Sequence, residues 1–323
     1  MRAVVQDTYG PPDVLRLEEV ERPLPGRGEV LLRVRAAGVD QGVWHLMAGR
    51  PYLLRLGFGL RGPRARVRGL DVAGRVESVG PEVTRFRPGD EVYGTCSGAF
   101  AQYATAREDR LAPRPASLTA EQAAAVPVSG STALQALRDA GRLAPGHSVL
   151  VIGASGGVGS YAVQLAKALG AARVTGVCAP AKADFVRSLG ADAVLAHTRD
   201  DPTDGTHRHD LVIDTGGNHP IHRLRRALTP RGTLVIVGGE SDGRLLGGTD
   251  RQVRALLLSP FVGHRLRGLA STPRAADLAE LSRLADSGAF VPAVDRAYPL
   301  AQVADAIRFL RDGRVRGKLV VTV

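Results

Sequence analysis

The 323-residue sequence has little of several residue types, and each shortage excludes a class of protein. Its only two cysteines, Cys96 and Cys178, are too few for a disulfide framework or for a zinc site of four thiolates. Aromatic residues make up 4% of the chain, and no run of about 18 apolar residues is uninterrupted. The N-terminal residues also lack the apolar core of a signal peptide. We therefore expect a folded cytoplasmic protein that does not span a membrane and has no membrane partner.

Lysine and acidic residues are scarce beside arginine. Of the 43 basic residues only three are lysines, and 32 acidic residues leave a net charge of +11. Such a charge attracts nucleic acid non-specifically, but these arginines are dispersed and have no interleaved aromatic residues. We therefore expect a basic solvated surface rather than a nucleic-acid site. The densest basic run, Arg61 to Arg68, contains glycine and proline and predicts a loop that can cover an anionic cofactor.

The hydrophobic pattern changes once along the chain. Short strands separated by glycine and proline fill about the first hundred residues. Near residue 120 the pattern changes to helices that alternate with continuous valine, isoleucine and leucine runs, and Thr119 is the expected N-cap of the first helix. Such runs are typical of parallel strands covered on both faces. The chain is long enough for two domains, and the sequence predicts an α/β protein with a β-rich first part.

A glycine-rich segment follows the first of these buried strands and precedes a helix. Glycines there permit a tight turn, and the backbone N–H groups can approach a pyrophosphate at the positive end of the helix. In this strand, turn and helix context the segment predicts a dinucleotide site rather than a purely structural turn. The residues assigned to cofactor binding here are Gly153, Ser155, Gly156, Gly157, Val158 and Gly159.

The end of the second buried strand indicates which nicotinamide cofactor is bound. An NAD enzyme usually places Asp or Glu there, on the adenosine ribose hydroxyls. This chain has Cys178 at the strand end and no carboxylate before Asp184, whereas Lys182 can pair with a 2′-phosphate. The sequence therefore predicts NADPH, with Cys178 and Lys182 near the adenosine; the alternative is that Lys182 is simply exposed.

Several motifs lie in the same order as in a known family. They include 29-EVLLRVRAAGV-39, 69-GLDVAG-74, 86-FRPGDEV-92, 214-DTGG-217 and 316-RGK-318. With the glycine segment, these residues resemble the medium-chain dehydrogenase/reductase superfamily and, within it, the zinc-free quinone oxidoreductase branch. The resemblance implies a GroES-like, β-rich catalytic domain at residues 1–120 and 268–323. It also implies a Rossmann cofactor domain with a doubly wound parallel sheet at residues 121–267.

The resemblance also implies roles for individual residues. Tyr52 matches the tyrosine that lines the nicotinamide and substrate cleft, and Thr132 matches a residue at the nicotinamide end. Asp40 replaces the amide that usually faces the nicotinamide ribose, where a carboxylate can accept ribose hydroxyls or act as a base. Tyr52, Asp40 and Thr132 are therefore the candidate catalytic residues. Further cofactor-side residues are Gly216, Gly217, Val237, Gly238, Gly239 and Lys318.

A catalytic zinc needs three protein ligands and an open position. Zinc-dependent relatives have a cysteine just after the Ala-Gly-Val segment and a Gly-His-Glu motif later, where this chain has Asp40 and Gly69-Leu70-Asp71. Because the thiolate and the imidazole are missing, no metal site is predicted.

These observations predict a zinc-independent NADPH-dependent oxidoreductase that transfers hydride to a quinone or an α,β-unsaturated carbonyl. The alternatives are a zinc-type alcohol dehydrogenase and an NADPH-binding regulatory or nucleic-acid-associated protein with little turnover. The sequence does not separate a quinone reductase from an enoyl reductase. We also expect a homodimer that pairs an exposed edge strand near Thr233 to Val237.

Overall fold

The computed structural model describes residues 1–217, 219–238 and 246–323, which form two compact units. The first unit comprises Met1–Ser131, Thr272–Gly288 and Pro292–Val323, and the second comprises Thr132–Ser271 and Ala289–Val291. The first unit continues past the expected limit at residue 120, because the short helix after Thr119 packs on its sheet.

The first unit is built around a mixed, largely antiparallel sheet. Its strand order is β14-β15-β3-β4-β5-β7, β6 also pairs with β3, and β1 and β2 form a separate antiparallel pair. Only β14 and β15 are parallel in this sheet. The strands are β1 (Arg2–Val5), β2 (Arg16–Glu19), β3 (Glu29–Val39), β4 (Asp71–Val79), β5 (Glu91–Thr95), β6 (Tyr103–Arg107), β7 (Leu111–Pro113), β14 (Val294–Pro299) and β15 (Lys318–Thr322).

Alternation of apolar and charged residues places one face of this sheet on the core. In β3, Leu32 and Val34 are buried and Arg33 and Arg35 are exposed, as period-2 geometry requires. The core is completed by apolar side chains of the helix that precedes β15. The helices of this unit are α1 (Gln41–Ala48), α2 (Arg55–Phe58), α3 (Ala120–Ala124), α9 (Ala275–Asp286) and α10 (Val303–Arg311), and α4 (Pro127–Gln135) runs from the first unit into the second.

The second unit is a parallel sheet with helices between its strands. Its order is β10-β9-β8-β11-β12-β13, and every pairing in it is parallel. The strands are β8 (Ser148–Ile152), β9 (Arg173–Cys178), β10 (Ala193–Ala196), β11 (His209–Asp214), β12 (Leu228–Ile236) and β13 (Arg265–Gly268). The helices are α5 (Gly157–Ala168), α6 (Ala183–Ser188), α7 (Ile221–Leu224) and α8 (Thr249–Leu258). The predicted α/β class, with a parallel doubly wound sheet in one unit, is confirmed.

The expectation that the strand near Thr233 to Val237 lies at an edge of the sheet is wrong. Residues of β12, including Thr233, pair with β11 on one side and with β13 on the other. The edge next to β12 is formed by β13, which the sequence pattern did not identify as a strand. Its four residues are too short and too rich in arginine to give a clear apolar signal.

Local sequence signals explain where several helices begin and end. Thr119 caps α3 as expected: its hydroxyl accepts from the backbone N–H of Gln122, and the Gln122 side chain accepts from the backbone N–H of Thr119. Gly49 ends α1 in the left-handed region at φ 61°. Among the described residues, no helix combines the length and the apolar character that crossing a bilayer requires.

Candidate functional site

The glycine-rich segment forms a tight turn between β8 and α5. Gly153 has φ 82°, and a Cβ on it would lie 2.3 Å from Oγ1 of Thr215. A Cβ on Gly159 would lie 2.1 Å from the carbonyl oxygen of Gly153. These two glycines are therefore required by the turn itself, because a side chain at either one collides with neighbouring atoms.

The N-terminus of α5 is available to an anion. Gly156 is the N-cap, has no side chain to satisfy the first N–H groups, and leaves its Cβ position open except for one carbonyl oxygen at 3.5 Å. Gly157 and Val158 begin the helix, and Ser155 is buried just before it. Unsatisfied N–H groups and the helix dipole favour a phosphate here, so the predicted residues fit a dinucleotide.

Basic side chains lie around the ends of β9 and β10. Cys178 ends β9, is buried, and accepts at its carbonyl oxygen from the N–H of His197, which follows β10. Lys182 is half-buried in the turn before α6, and Arg199 is exposed beyond β10. The sequence identified Lys182 but not His197 and Arg199, because the pairing of β10 with β9 that brings them to this region is a long-range property.

The turn after β11 is closed by a buried aspartate. Oδ1 of Asp214 accepts from the N–H groups of Gly216 and Gly217 at 3.2 and 3.0 Å, and Oδ2 accepts from Nη2 of Arg251 at 2.6 Å. Asp214 is fully buried and Arg251 is largely buried. The carboxylate fixes the backbone of the two predicted cofactor-side glycines, and Gly217 adopts φ 76°.

A cavity of about 800 Å³ opens beside this turn, within the second unit. Its walls combine apolar side chains of Leu257 and Phe261 with the basic side chains of His219, His222 and Arg251. Val237 and Gly238 come directly after β12, and the N–H of Val237 donates to the carbonyl oxygen of Asp214. The predicted cofactor residue Gly239 lies outside the described residues.

Asp40 is the N-cap of α1. Its Oδ1 accepts from the N–H of Val43 at 3.0 Å, and a Cβ on Gly42 would make a tight contact of 3.1 Å with Oδ1. Oδ2 has no hydrogen-bond donor among the described residues and lies 3.5 Å from Nζ of Lys318. The predicted catalytic residue and the predicted cofactor-side lysine are therefore neighbours in one buried cluster.

Lys318 lies between two carboxylates. Its ammonium is 3.5 Å from Asp40 and 3.4 Å from Oδ2 of Asp71, and it is 3.1 Å from the hydroxyl of Ser129. Oδ1 of Asp71 accepts from the N–H of Val128 in the first turn of α4 at 2.9 Å. Lys318 is only 2% exposed, so its ammonium faces this cluster; its predicted contact with a cofactor stays a prediction.

The protonation of Asp71 is perturbed. Burial raises the pKa of its carboxyl to about 7, the ammonium of Lys318 opposes that rise, and the neighbouring carboxylate of Asp40 adds to it. Burial, and then the charge of Asp71, also raises the pKa of the Cys96 thiol, so this thiol stays protonated. We refer to Asp40, Asp71, Lys318 and Ser129 as the buried lysine cluster.

Tyr52 lies at the edge of the first unit and is stacked on an arginine. The guanidinium of Arg55 lies 4.6 Å from the ring centres of both Tyr52 and Tyr9, and its Nε donates to the carbonyl oxygen of Gly49 at 2.9 Å. Tyr52 is 37% exposed, so part of its side chain is open to solvent. Thr132 is buried at the start of the second unit. The catalytic roles of both residues remain predictions.

Sequence reasoning missed three of these partners, namely Ser129, Arg251 and Arg55. Asp71 and Lys318 each begin a strand and are followed by buried apolar residues, and a charge in that position was a usable signal for a buried pair. Arg251 lies on a helix with other exposed charges, so only the fold distinguishes it from its neighbours.

Comparison with known proteins identifies the family. Models described as "Alcohol dehydrogenase GroES-like domain" and "Zinc-binding dehydrogenase" match residues 26–116 and 189–321. A chloroplastic quinone oxidoreductase of Triphysaria versicolor is 31% identical over 99% of this chain and 98% of its own. The chain belongs to the medium-chain dehydrogenase/reductase superfamily, in the zinc-free quinone oxidoreductase branch.

Other members of the superfamily agree with this placement. The solved structure of the quinone oxidoreductase from Coxiella burnetii superposes with a TM-score of 0.84 at 28% identity, covering 100% of this chain and 99% of that chain. A 2-methylene-furan-3-one reductase of Solanum lycopersicum is 30% identical over 99% of this chain and 79% of its own. The relatives support an oxidoreductase activity with a nicotinamide cofactor.

Proposed function

We propose that this oxidoreductase uses NADPH to reduce a quinone or an α,β-unsaturated carbonyl, without a catalytic zinc. The bound nicotinamide supplies the hydride, and the protein supplies binding, orientation and exclusion of water. The observation that carries the proposal is the buried lysine cluster, in which the ammonium of Lys318 lies between Asp40 and Asp71.

The proposed zinc independence is supported by the chemistry of that cluster. Asp40 and Asp71 stand where zinc-dependent relatives have a cysteine and part of a Gly-His-Glu motif, and the place of the histidine is taken by Leu70. The positive charge that the two carboxylates require is supplied by a lysine. Among the described residues, no group of three or more His, Cys, Asp or Glu side chains is arranged to hold a metal. A zinc would have to displace Lys318 and still lack a third ligand.

A preference for NADPH over NADH is supported by the charges around β9 and β10. The second strand of the parallel sheet ends at Cys178 without a carboxylate, and Lys182, His197 and Arg199 supply positive or titratable groups in the same region. A 2′-phosphate gains charge-assisted hydrogen bonds there. We expect Lys182→Ala to raise the KM for NADPH and leave that for NADH unchanged, with Lys167→Ala as the matched control.

The proposed acceptor class rests on what each acceptor requires of the protein after hydride transfer. A quinone that accepts hydride becomes a hydroquinone anion, which water can protonate. An enone also needs a donor to the developing enolate oxygen, and we propose that the hydroxyl of Tyr52, whose ring is stacked on Arg55 and is partly exposed, provides that hydrogen bond. Thr132 is proposed to orient the nicotinamide, and Asp40 the ribose, as the resemblance implies.

The quaternary structure and location belong to the same proposal. The edge of the parallel sheet at β13 replaces the edge expected at Thr233 to Val237 as the strand that pairs with a second copy. The two cysteines are free, in agreement with a reducing compartment such as the cytoplasm. Sedimentation of the protein as a single 34.0 kDa species would contradict the homodimer.

The decisive experiment is NADPH oxidation by chelator-treated protein, with a small quinone and a 2-alkenal as acceptors and NADH as the control cofactor. Turnover after chelation supports zinc-free hydride transfer, and the better acceptor identifies the substrate class. Activity that needs added zinc would favour the alcohol dehydrogenase alternative. Tight NADPH binding without turnover, accompanied by salt-dependent binding of nucleic acid, would favour the regulatory alternative.

A further inference from the structure

Residues 52–64, called the apolar segment below, expose large apolar side chains in an unusual concentration. Leu56 is 63% exposed and Leu60 is 66% exposed, and Tyr52, Leu53 and Phe58 are also exposed. Single exposed leucines are ordinary, but a group of this kind within nine residues marks an interaction surface.

The apolar segment lies in a stretch of the chain that has no acidic residue. Between Asp40 and Asp71 there are six arginines and neither aspartate nor glutamate. Arg66 pairs with Asp7 and Glu18 of the first unit. Arg61 and Arg64 are exposed and form no ion pair with a carboxylate of the described residues. Positive charge is therefore available beside the exposed apolar side chains.

The base of the apolar segment is held in place, which distinguishes it from an unstructured tail. The hydroxyl of Tyr9 donates to the carbonyl oxygen of Gly59 at 2.8 Å, and the N–H of Arg64 donates to the carbonyl oxygen of Phe58 at 2.9 Å. Arg55 joins Tyr9 and Tyr52 as described above. The exposed leucines are thus presented by a fixed backbone, and little ordering entropy is lost when they bind.

We propose that the apolar segment docks the protein on the surface of an anionic lipid bilayer. Leucine and phenylalanine side chains enter the boundary between headgroups and acyl chains, and guanidinium groups bind lipid phosphates. The net charge of +11 adds long-range attraction to the same surface. This is surface association, which is distinct from a membrane span, and it replaces the expectation from the sequence that the protein has no membrane partner.

Other occupants fit the apolar segment less well. A second copy of the chain would bring the same unpaired arginines and repel the first. An acidic protein without an apolar surface would neutralise Arg61 and Arg64 but leave the exposed apolar side chains without an apolar counterpart. A bilayer with acidic headgroups satisfies both the charge and the apolar surface.

The test is flotation of the purified protein with vesicles of phosphatidylcholine and phosphatidylglycerol (3:1), compared with vesicles of phosphatidylcholine alone. We expect binding to the mixed vesicles and weak binding to the neutral ones. Leu56→Ser with Leu60→Ser, and separately Arg61→Gln with Arg64→Gln, should each weaken binding at least about tenfold. Leu24→Ser, at a leucine that is 86% exposed elsewhere, and Arg208→Gln with Arg231→Gln should bind as the unchanged protein does.

Three results would overturn the proposal. The first is equal binding by the Leu56/Leu60 and Leu24 variants, since it leaves only general electrostatic attraction. The second is a rise in the KM for NADPH in the Arg61/Arg64 variant with unchanged vesicle binding, which would assign these arginines to the cofactor. The third is a protein that does not bind vesicles but self-associates, if the Leu56 and Leu60 changes abolish that self-association. Because flotation does not depend on turnover, failure of the proposed enzyme activity is separately visible.

Discussion

Each compact unit buries a carboxylate beside a basic side chain, and the two carboxylates are satisfied differently. In the second unit, Asp214 accepts two backbone N–H groups and a hydrogen bond from Arg251 at 2.6 Å. In the first unit, Asp71 accepts one backbone N–H group and shares Lys318, at 3.4 Å, with Asp40. Burial is complete for both aspartates, so the difference lies in their donors.

The comparison shows that the protonation of a buried acid depends on the number of charges and hydrogen-bond donors around it as well as on its burial. Asp214 and Arg251 form a balanced pair with further hydrogen bonds. The buried lysine cluster contains two carboxylates and one ammonium, so full ionisation leaves one uncompensated negative charge. Binding one proton removes that charge, in agreement with the raised pKa of Asp71.

The largest expected effect is that of Lys318→Met. The change leaves two buried carboxylates without a cation, and breaking a buried pair in this way costs about 3–5 kcal/mol of stability. Urea unfolding followed by the fluorescence of Trp44, the single tryptophan and a residue of the first unit, measures the loss. Lys167→Met is the control, because Lys167 is partly exposed in its pair with Asp192 and should change stability by less than about 1 kcal/mol.

A double variant tests whether charge is the cause. Adding Asp71→Asn to Lys318→Met removes one of the two uncompensated carboxylates and should restore part of the lost stability. If the double variant is as unstable as the sum of both single losses, packing of the lysine side chain matters more than its charge.

Arg251→Met should have a smaller effect on the second unit, about 2 kcal/mol, because Asp214 retains two backbone donors. Hydrogen exchange of peptides from β8 and β11 reports the stability of this unit. Arg254→Met is the matched control on the same helix, since Arg254 is exposed and pairs only loosely with Asp250. An effect as large as that of Lys318→Met would remove the distinction between the two units.

The pH dependence of stability should come from Asp71. Its folded pKa, about 7, lies above the ordinary value of 3.8, so the folded protein binds more protons between these values. The stabilisation that the folded protein gains from protonated Asp71 is complete below about pH 4 and is lost as the pH rises through 7. We expect the unchanged protein to lose on the order of 2 kcal/mol relative to Asp71→Asn between pH 5 and 8. Parallel stability curves for the two proteins would contradict this assignment.

The sequence predicted the two folds and the glycine turn correctly because their signals are local. The strand before Gly153 and the helix after Gly156 are adjacent in the chain, and Thr119 acts on the next turn. The sequence did not predict that Lys318 lies beside Asp40 and Asp71. These residues come together through the pairing of β15 with β3 and of β3 with β4. The edge at β13 was missed for the same reason, since strand order depends on contacts between distant segments.

The smallest expected effect concerns two buried serines on α4. The hydroxyl of Ser129 is 3.1 Å from the ammonium of Lys318, whereas that of Ser131 has no hydrogen-bond partner among the described residues. Ser129→Ala should cost about 1 kcal/mol, because Lys318 loses a partner and keeps its carboxylates. Ser131→Ala should be neutral or slightly stabilising, since alanine favours the helix and no bond is lost. Trp44 fluorescence in urea measures both variants, and equal effects would mean that the hydroxyl of Ser129 contributes nothing to the buried lysine cluster.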